Sequence, residues 1–266
     1  MARTIGFAFL AVLYAFLLAP LLYIVIGSFN PATLAFPPRA WSLHSYAAIP
    51  TEFLAALGVS LIVAAASACL AIPLGVSAAL GVVRGRFAGR DLVNSFLLSP
   101  LLFPMLVLGA SLYRLYYEVD QSLGTALSGS LTGLILGHTS FCIPYVARSL
   151  VPALMQMPAS LEEAAYDLGA GRWFTFTRVT LPLMRTGLVG GIAFAFLTSF
   201  DNFPMSLFLA EGENATLPVV MFQFIEFDLT PVILSMSTLV ILGSLAVMLV
   251  VEKAVGMAAL VGLPEH

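Results

Sequence analysis

Asp201 is the residue best able to do chemistry, because a charge is least expected where it stands. It lies in Thr198-Ser-Phe-Asp-Asn-Phe-Pro204, well inside an otherwise apolar stretch. A carboxylate at the bilayer centre costs about 2.5–3.5 kcal/mol, so it must face a cavity or a partner. There it would attract a cationic solute or hold a gate, with Asn202 and Phe203 beside it as further candidates for a solute path. The competing role is structural, as partner to a neighbouring amide or as a residue near the external interface. His138 is the other titratable candidate in an apolar run. A single His in a helix bundle more often hydrogen-bonds a neighbouring backbone than transfers protons. Ser128, Ser130 and Ser140 raise the chemistry of a hydrolase, but no G-x-S-x-G elbow is present and Ser140 is only two residues from His138. Cys69 and Cys142 fit no metal or redox spacing and read as small membrane-buried residues. The single lysine, Lys253, sits in Val-Glu-Lys-Ala-Val with no glycine loop before it. It cannot serve a P-loop, whose lysine must meet the phosphates.

These groups need elements to hold them, and composition says which kind. Of 266 residues, 60% are hydrophobic and 9% charged, with 20 Phe and a mean hydropathy of +1.02. Soluble domains carry about 25% charged residues. A soluble enzyme and a disordered chain are therefore excluded, and a net charge of -3 offers no basic footprint for nucleic acid.

Crossing a bilayer takes about 20 mostly apolar residues in a helix. Such stretches run over residues 5–29, 53–83, 92–117, 131–154, 187–210 and 232–251. The first is longer than a signal-peptide core and no A-x-A-like site follows, so it reads as a span. The expectation is an all-α, polytopic bundle of six transmembrane helices in a single domain, residues 1–266. Pro73, Pro100, Pro104, Pro144 and Pro204 fall in or at the ends of these spans. Neighbouring helices can re-satisfy the carbonyls that prolines free in lipid.

With the N-terminus inside, Arg3, Arg84, Arg86, Arg90, Arg148, Arg172, Arg178, Arg185 and Lys253 are cytoplasmic, and only Arg39 and Arg114 are external. That asymmetry is the positive-inside pattern and puts both termini in the cytoplasm. External acids (Glu52, Glu118, Asp120, Glu211, Glu213, Glu226, Asp228) outnumber external bases. They would suit a basic binding protein or a cationic solute, and are equally the residue of positive-inside sorting. Gly133-x-x-x-Gly137 and Gly187-x-x-x-Gly191 permit close helix contacts.

The sizeable cytoplasmic segment, about residues 155–186, contains Ser160-Leu-Glu-Glu-Ala-Ala-Tyr-Asp-Leu-Gly169 and continues to Leu181-Pro182. Ser160 and Glu163 have capping-box spacing, which predicts a helix start. Gly169 with Gly171 stops that helix through a left-handed turn, and a second short helix is expected over 173–179. Taken by itself this is an amphipathic hairpin on the membrane surface.

The spacing of the segment is more specific than that. Glu163-Ala164-Ala165, three residues, Gly169, nine residues, Val179, one residue, Leu181-Pro182 resembles the EAA loop of ABC importer permeases, with Val for the usual Ile. From Gly133 to about Leu249 the chain resembles the MetI-like membrane subunits of type I ABC importers. Ser199-Phe-Asp-Asn-Phe203, Leu217-Pro218 and Pro231 are similar to the spermidine/putrescine branch, and within it to the second of its two permeases. The resemblance implies that the hairpin, between spans 4 and 5, is a coupling helix seated on a cytoplasmic ATPase. Its ATPase-coupling residues are then Glu162, Glu163, Ala164, Ala165, Gly169, Leu181 and Pro182, with Glu163 offering a carboxylate to the ATPase.

It also implies a bacterial inner (plasma) membrane location and a set of partners. These are a second permease subunit (heterodimer, homodimer as the alternative), two ATPase subunits that carry ATP and Mg, and a periplasmic or extracellular solute-binding protein. No cofactor is expected in this chain, which is read as a non-enzymatic membrane subunit with no metal site. The solute expected is a polyamine or related cationic amine; iron, thiamine, phosphonate and amino-acid-derivative importers share much of the pattern. A stand-alone secondary transporter or channel is the other class, and it would not need the cytoplasmic hairpin.

Overall fold

In the computed structural model of the chain, residues 2–31, 36–38, 40–227 and 230–255 are described, and every regular element among them is helical. Arg39 and Asp228 lie outside the described residues. The chain opens with α1 (Ala2–Gly27), α2 (His44–Ala47) and α3 (Thr51–Arg84). Next come α4 (Arg90–Leu98), a 3-10 turn (Ser99–Leu101), α5 (Met105–Leu123) and α6 (Leu131–Gln156). After α7 (Ser160–Asp167), α8 (Arg172–Thr175) continues through a π turn (Phe176–Thr180) into α9 (Leu181–Leu183). The remainder is α10 (Arg185–Phe200), α11 (Phe203–Leu209), a 3-10 turn (Gly212–Asn214), α12 (Leu217–Phe227) and α13 (Pro231–Val255).

Among the described residues, four helices are long and apolar enough to cross a membrane: Gly6–Gly27, Thr51–Arg84, Leu131–Gln156 and Pro231–Val250. The number reaches six if each of two bent pairs makes one span. Arg90–Leu101 meets Met105–Leu123 at 99°, and Arg172–Leu183 meets Arg185–Phe200 at 74°. The expected third span, 92–117, is therefore not one straight helix. Pro104 has ψ 125° and caps α5 with no N–H to give to the preceding turn. The expected fifth span, 187–210, stops at Phe200 and resumes at Phe203. Hydropathy averages over such short breaks and cannot see them. The acidic segment expected to be external also holds a helix not foreseen in the sequence, α12.

The chain divides into two compact units, one from residues up to Ala55 with Val220–Leu245, the other from Ala56–Val219 with residues from Ala246 onward. In the first, α1 is exposed from Gly6 to Tyr23, an apolar surface suited to lipid rather than water. Gly27 lets α13 approach, since a Cβ there would come within 2.8 Å of Leu234. Ser235 donates to the Ser28 carbonyl at 3.2 Å, Ser45 donates to the Asn30 carbonyl at 2.7 Å, and Phe53 packs on Phe224.

The second unit is built around α6. Leu134, Phe141, Val146, Leu150 and Leu154 are fully buried along it. The backbone of α10 lies directly on α6 because two glycines leave room. A Cβ on Gly191 would stand 3.1 Å from Val146 Cα, and one on Gly187 would stand 2.8 Å from the Ser149 carbonyl oxygen. Ser149 also donates to the Gly187 carbonyl at 2.7 Å. The Gly187-x-x-x-Gly191 spacing thus serves packing within this chain. Segments read as external also converge. Asp120 accepts from the backbone N–H groups of Leu127 and Ser128, and Asn214 donates to the Gly129 carbonyl at 3.0 Å.

Candidate functional site

The second unit contains both groups of residues singled out in the sequence. In the hairpin, α7 begins one residue earlier than the capping box predicts. Ala159 is its N-cap, in helical conformation and with no side-chain cap. Leu161 N–H donates to the Pro158 carbonyl, and Glu162 and Glu163 N–H groups donate to Ala159. Extended Met157 before Pro158 sets this start, as the residue before a proline disfavours helix. Ser160 is already helical, so the reciprocal Ser160–Glu163 cap does not form.

The other end follows the expectation at Gly169. It adopts φ 84°, and Ala170 N–H reaches back to the Ala165 carbonyl at 3.0 Å, the long bond of a Schellman turn. Gly171 takes no part in the left-handed turn; it is extended and precedes α8. The second arm is longer than residues 173–179, running from Arg172 through the π turn to Leu183. Thr175 and Thr180 are its buried face.

What the hairpin presents outward is distinctive. Glu163 and Ala164 are exposed, as is Gly169, and no hydrogen bond or ion pair engages the Glu163 carboxylate among the described residues. Beside them stand Leu168 at 90% exposure and Trp173 at 76%. Ala165 and Leu181 are half-buried and Pro182 is exposed. Glu162 points the other way. Its Oε2 lies 2.9 Å from Nε of Arg84, the last residue of α3, and its Oε1 accepts from Thr180 at 2.7 Å. Arg84 Nη2 donates to the Met157 carbonyl at 3.0 Å. The sequence offered no signal for this arrangement, since Arg84 looks like any other positive-inside residue.

At the other group, α10 ends and α11 begins within two residues. Asn202 caps α11, accepting from Met205 N–H at 3.0 Å, and Pro204 occupies the first turn, where its missing N–H costs nothing. Asp201 is thereby exposed, Asn202 buried and Phe203 half-buried. Among the described residues no hydrogen bond or ion pair engages the Asp201 carboxylate. His138 spans the break from α6: Nδ1 lies 2.8 Å from the Ser199 hydroxyl and Nε2 3.1 Å from the Ser206 hydroxyl. The expected backbone partner is replaced by two hydroxyls, one on each side of the break. Ser140 instead donates to the Gly137 carbonyl, so it forms no nucleophile–base pair with His138. On the far side, Gly109 of α5 allows approach to Met205, 3.2 Å from a Cβ placed there. The broken helix is held between α5 and α6 with Asp201 outward, the kind of discontinuity that membrane proteins tolerate where backbone is buried in protein or lines a cavity.

Residues 71–255 match the family described as binding-protein-dependent transport system inner membrane component. The chain belongs to that family: it is a multi-pass inner membrane protein and a permease subunit of an ABC importer. It is 33% identical over 237 residues to the putrescine transport system permease protein PotI of Escherichia coli strain K12, covering 88% of this chain and 84% of the relative. It is 31% identical over 242 residues to the spermidine/putrescine transport system permease protein PotC of Haemophilus influenzae, covering 90% and 91%. In fold it is similar to a bacterial ABC transporter involved in the import of the acidic polysaccharide alginate, with a TM-score of 0.76, 16% identity and coverage of 94% and 95%. The MetNI methionine ABC transporter is also similar, with a TM-score of 0.60, 16% identity and coverage of 78% and 94%.

Proposed function

We propose that this subunit forms half of the translocation pathway for a polyamine or related small cationic amine, driven by ATPase subunits in other chains. The observation that carries the coupling half of this reading is the outward face of the hairpin, where Glu163, Ala164, Leu168 and Trp173 are exposed together. An apolar, small-residue face with one free carboxylate suits a groove on a protein partner. The assembly comprises this chain, a second permease, two cytoplasmic ATPases carrying ATP and Mg, and an external solute-binding protein, with both termini of this chain in the cytoplasm. Closure of the ATPases moves the hairpin, and the hairpin moves the spans between two states of differing solute affinity.

The solute class is supported by the putrescine and spermidine/putrescine relatives and by the exposed Asp201, a carboxylate at a helix break in an apolar span. Cells lacking this chain lose uptake of labelled putrescine, and excess spermidine competes with it in cells that have the chain while sulfate and methionine do not. Undiminished putrescine uptake without the chain would contradict the polyamine assignment.

A further inference from the structure

We propose that Arg84 is a positioning residue for coupling: it latches the hairpin to the end of α3, so that movement of the hairpin is passed to that span as well as to α10. This rests on reading the hairpin as the coupling element. Three separate points of the hairpin meet at one place. The start is held through the Met157 carbonyl, 3.0 Å from Arg84 Nη2. The first turn of α7 is held through Glu162, whose Oε2 is 2.9 Å from Arg84 Nε. The returning arm is held through Thr180, whose hydroxyl donates to the other oxygen of Glu162 at 2.7 Å.

The geometry explains why α3 can supply the arginine. With 34 residues at about 1.5 Å each, α3 is about 51 Å long, well beyond a hydrocarbon core of about 30 Å. At least one end stands clear of lipid, and the charge at Arg84 marks it. Both side chains are largely buried, at 26% and 15% exposure, so the contact is shielded from solvent and salt more than a surface pair is. The Nε–Oε2 ion pair at 2.9 Å joins the two elements by opposite charge at close range. Without the latch, the hairpin would remain joined to the bundle through its chain ends in α6 and α10. With it, a third helix moves with the same lever.

The test uses the full transporter with its partner subunits and reads solute taken up per ATP hydrolysed, at matched amounts of protein in the membrane. Arg84→Ala and Glu162→Ala each lower that ratio about tenfold. The exchange Arg84→Glu with Glu162→Arg restores the ion pair but not the bonds to the Met157 carbonyl and the Thr180 hydroxyl, so it recovers part of the loss, a result that general damage to the fold would not give. Thr180→Val, a small change that leaves the ion pair in place, lowers the ratio about twofold. An unchanged ratio in both alanine variants overturns the latch, as does failure of the exchange to recover any coupling. Glu163→Ala with Gly169→Leu provides the separation, because neither takes part in the hydrogen bonds or the ion pair that join Arg84, Glu162, Met157 and Thr180. If that variant uncouples while Arg84→Ala does not, the latch alone fails. If it transports normally, the coupling reading fails.

Discussion

Glu163→Ala combined with Gly169→Leu lowers solute uptake by about tenfold or more while hydrolysis by the partner ATPase continues. The expectation follows from where these residues lie. Glu163 is exposed in the first turn of α7, and its carboxylate engages no partner among the described residues. Gly169 has φ 84° and a Cβ there meets nothing within 4 Å. A leucine would therefore not clash; it would impose about 1–2 kcal/mol of left-handed strain and place a large side chain at the tip of the hairpin. Both changes alter the surface offered to a partner and leave the α6–α10 packing untouched. Membrane insertion is expected to be normal. Paired assays of uptake and phosphate release on the same vesicles check this, and normal uptake in the double variant would remove the coupling role.

Asp201→Asn lowers uptake of a cationic solute about tenfold, with assembly of the transporter preserved. The substitution keeps shape and removes charge. It spares the local architecture because the break depends on neighbours: Asn202 caps α11, Pro204 forms its first turn, and His138 joins Ser199 to Ser206 across the gap. Solute uptake and subunit recovery measured together distinguish the two roles of the carboxylate. Equal loss of both would favour a structural partner over a contact with the cation.

The sequence made the membrane class and the approximate spans legible, because hydropathy over 20 residues is a local property. The turn at Gly169 was legible for the same reason: a glycine after a short helix predicts its own conformation. Other features depend on residues far apart in the chain. Glu162 and Glu163 are adjacent and chemically identical, yet one binds Arg84 and Thr180 while the other faces outward, and only the packing of α3 decides which. His138 is similar. Its partners are 61 and 68 residues away, and nothing in the apolar run around it announces them. The bends are a third case, where the polar pair Asp201 and Asn202 is too short to register in a hydropathy window but long enough to end a helix.

In the proposed function this chain is a lever and half of a pathway, with its energy source in another polypeptide. ATP-driven uptake into proteoliposomes tests that most directly, comparing this chain alone with this chain plus its second permease, ATPase and binding-protein partners. The chain alone is expected neither to hydrolyse ATP nor to concentrate putrescine, and the complete assembly to do both. ATP hydrolysis or putrescine accumulation by the chain alone would contradict the account.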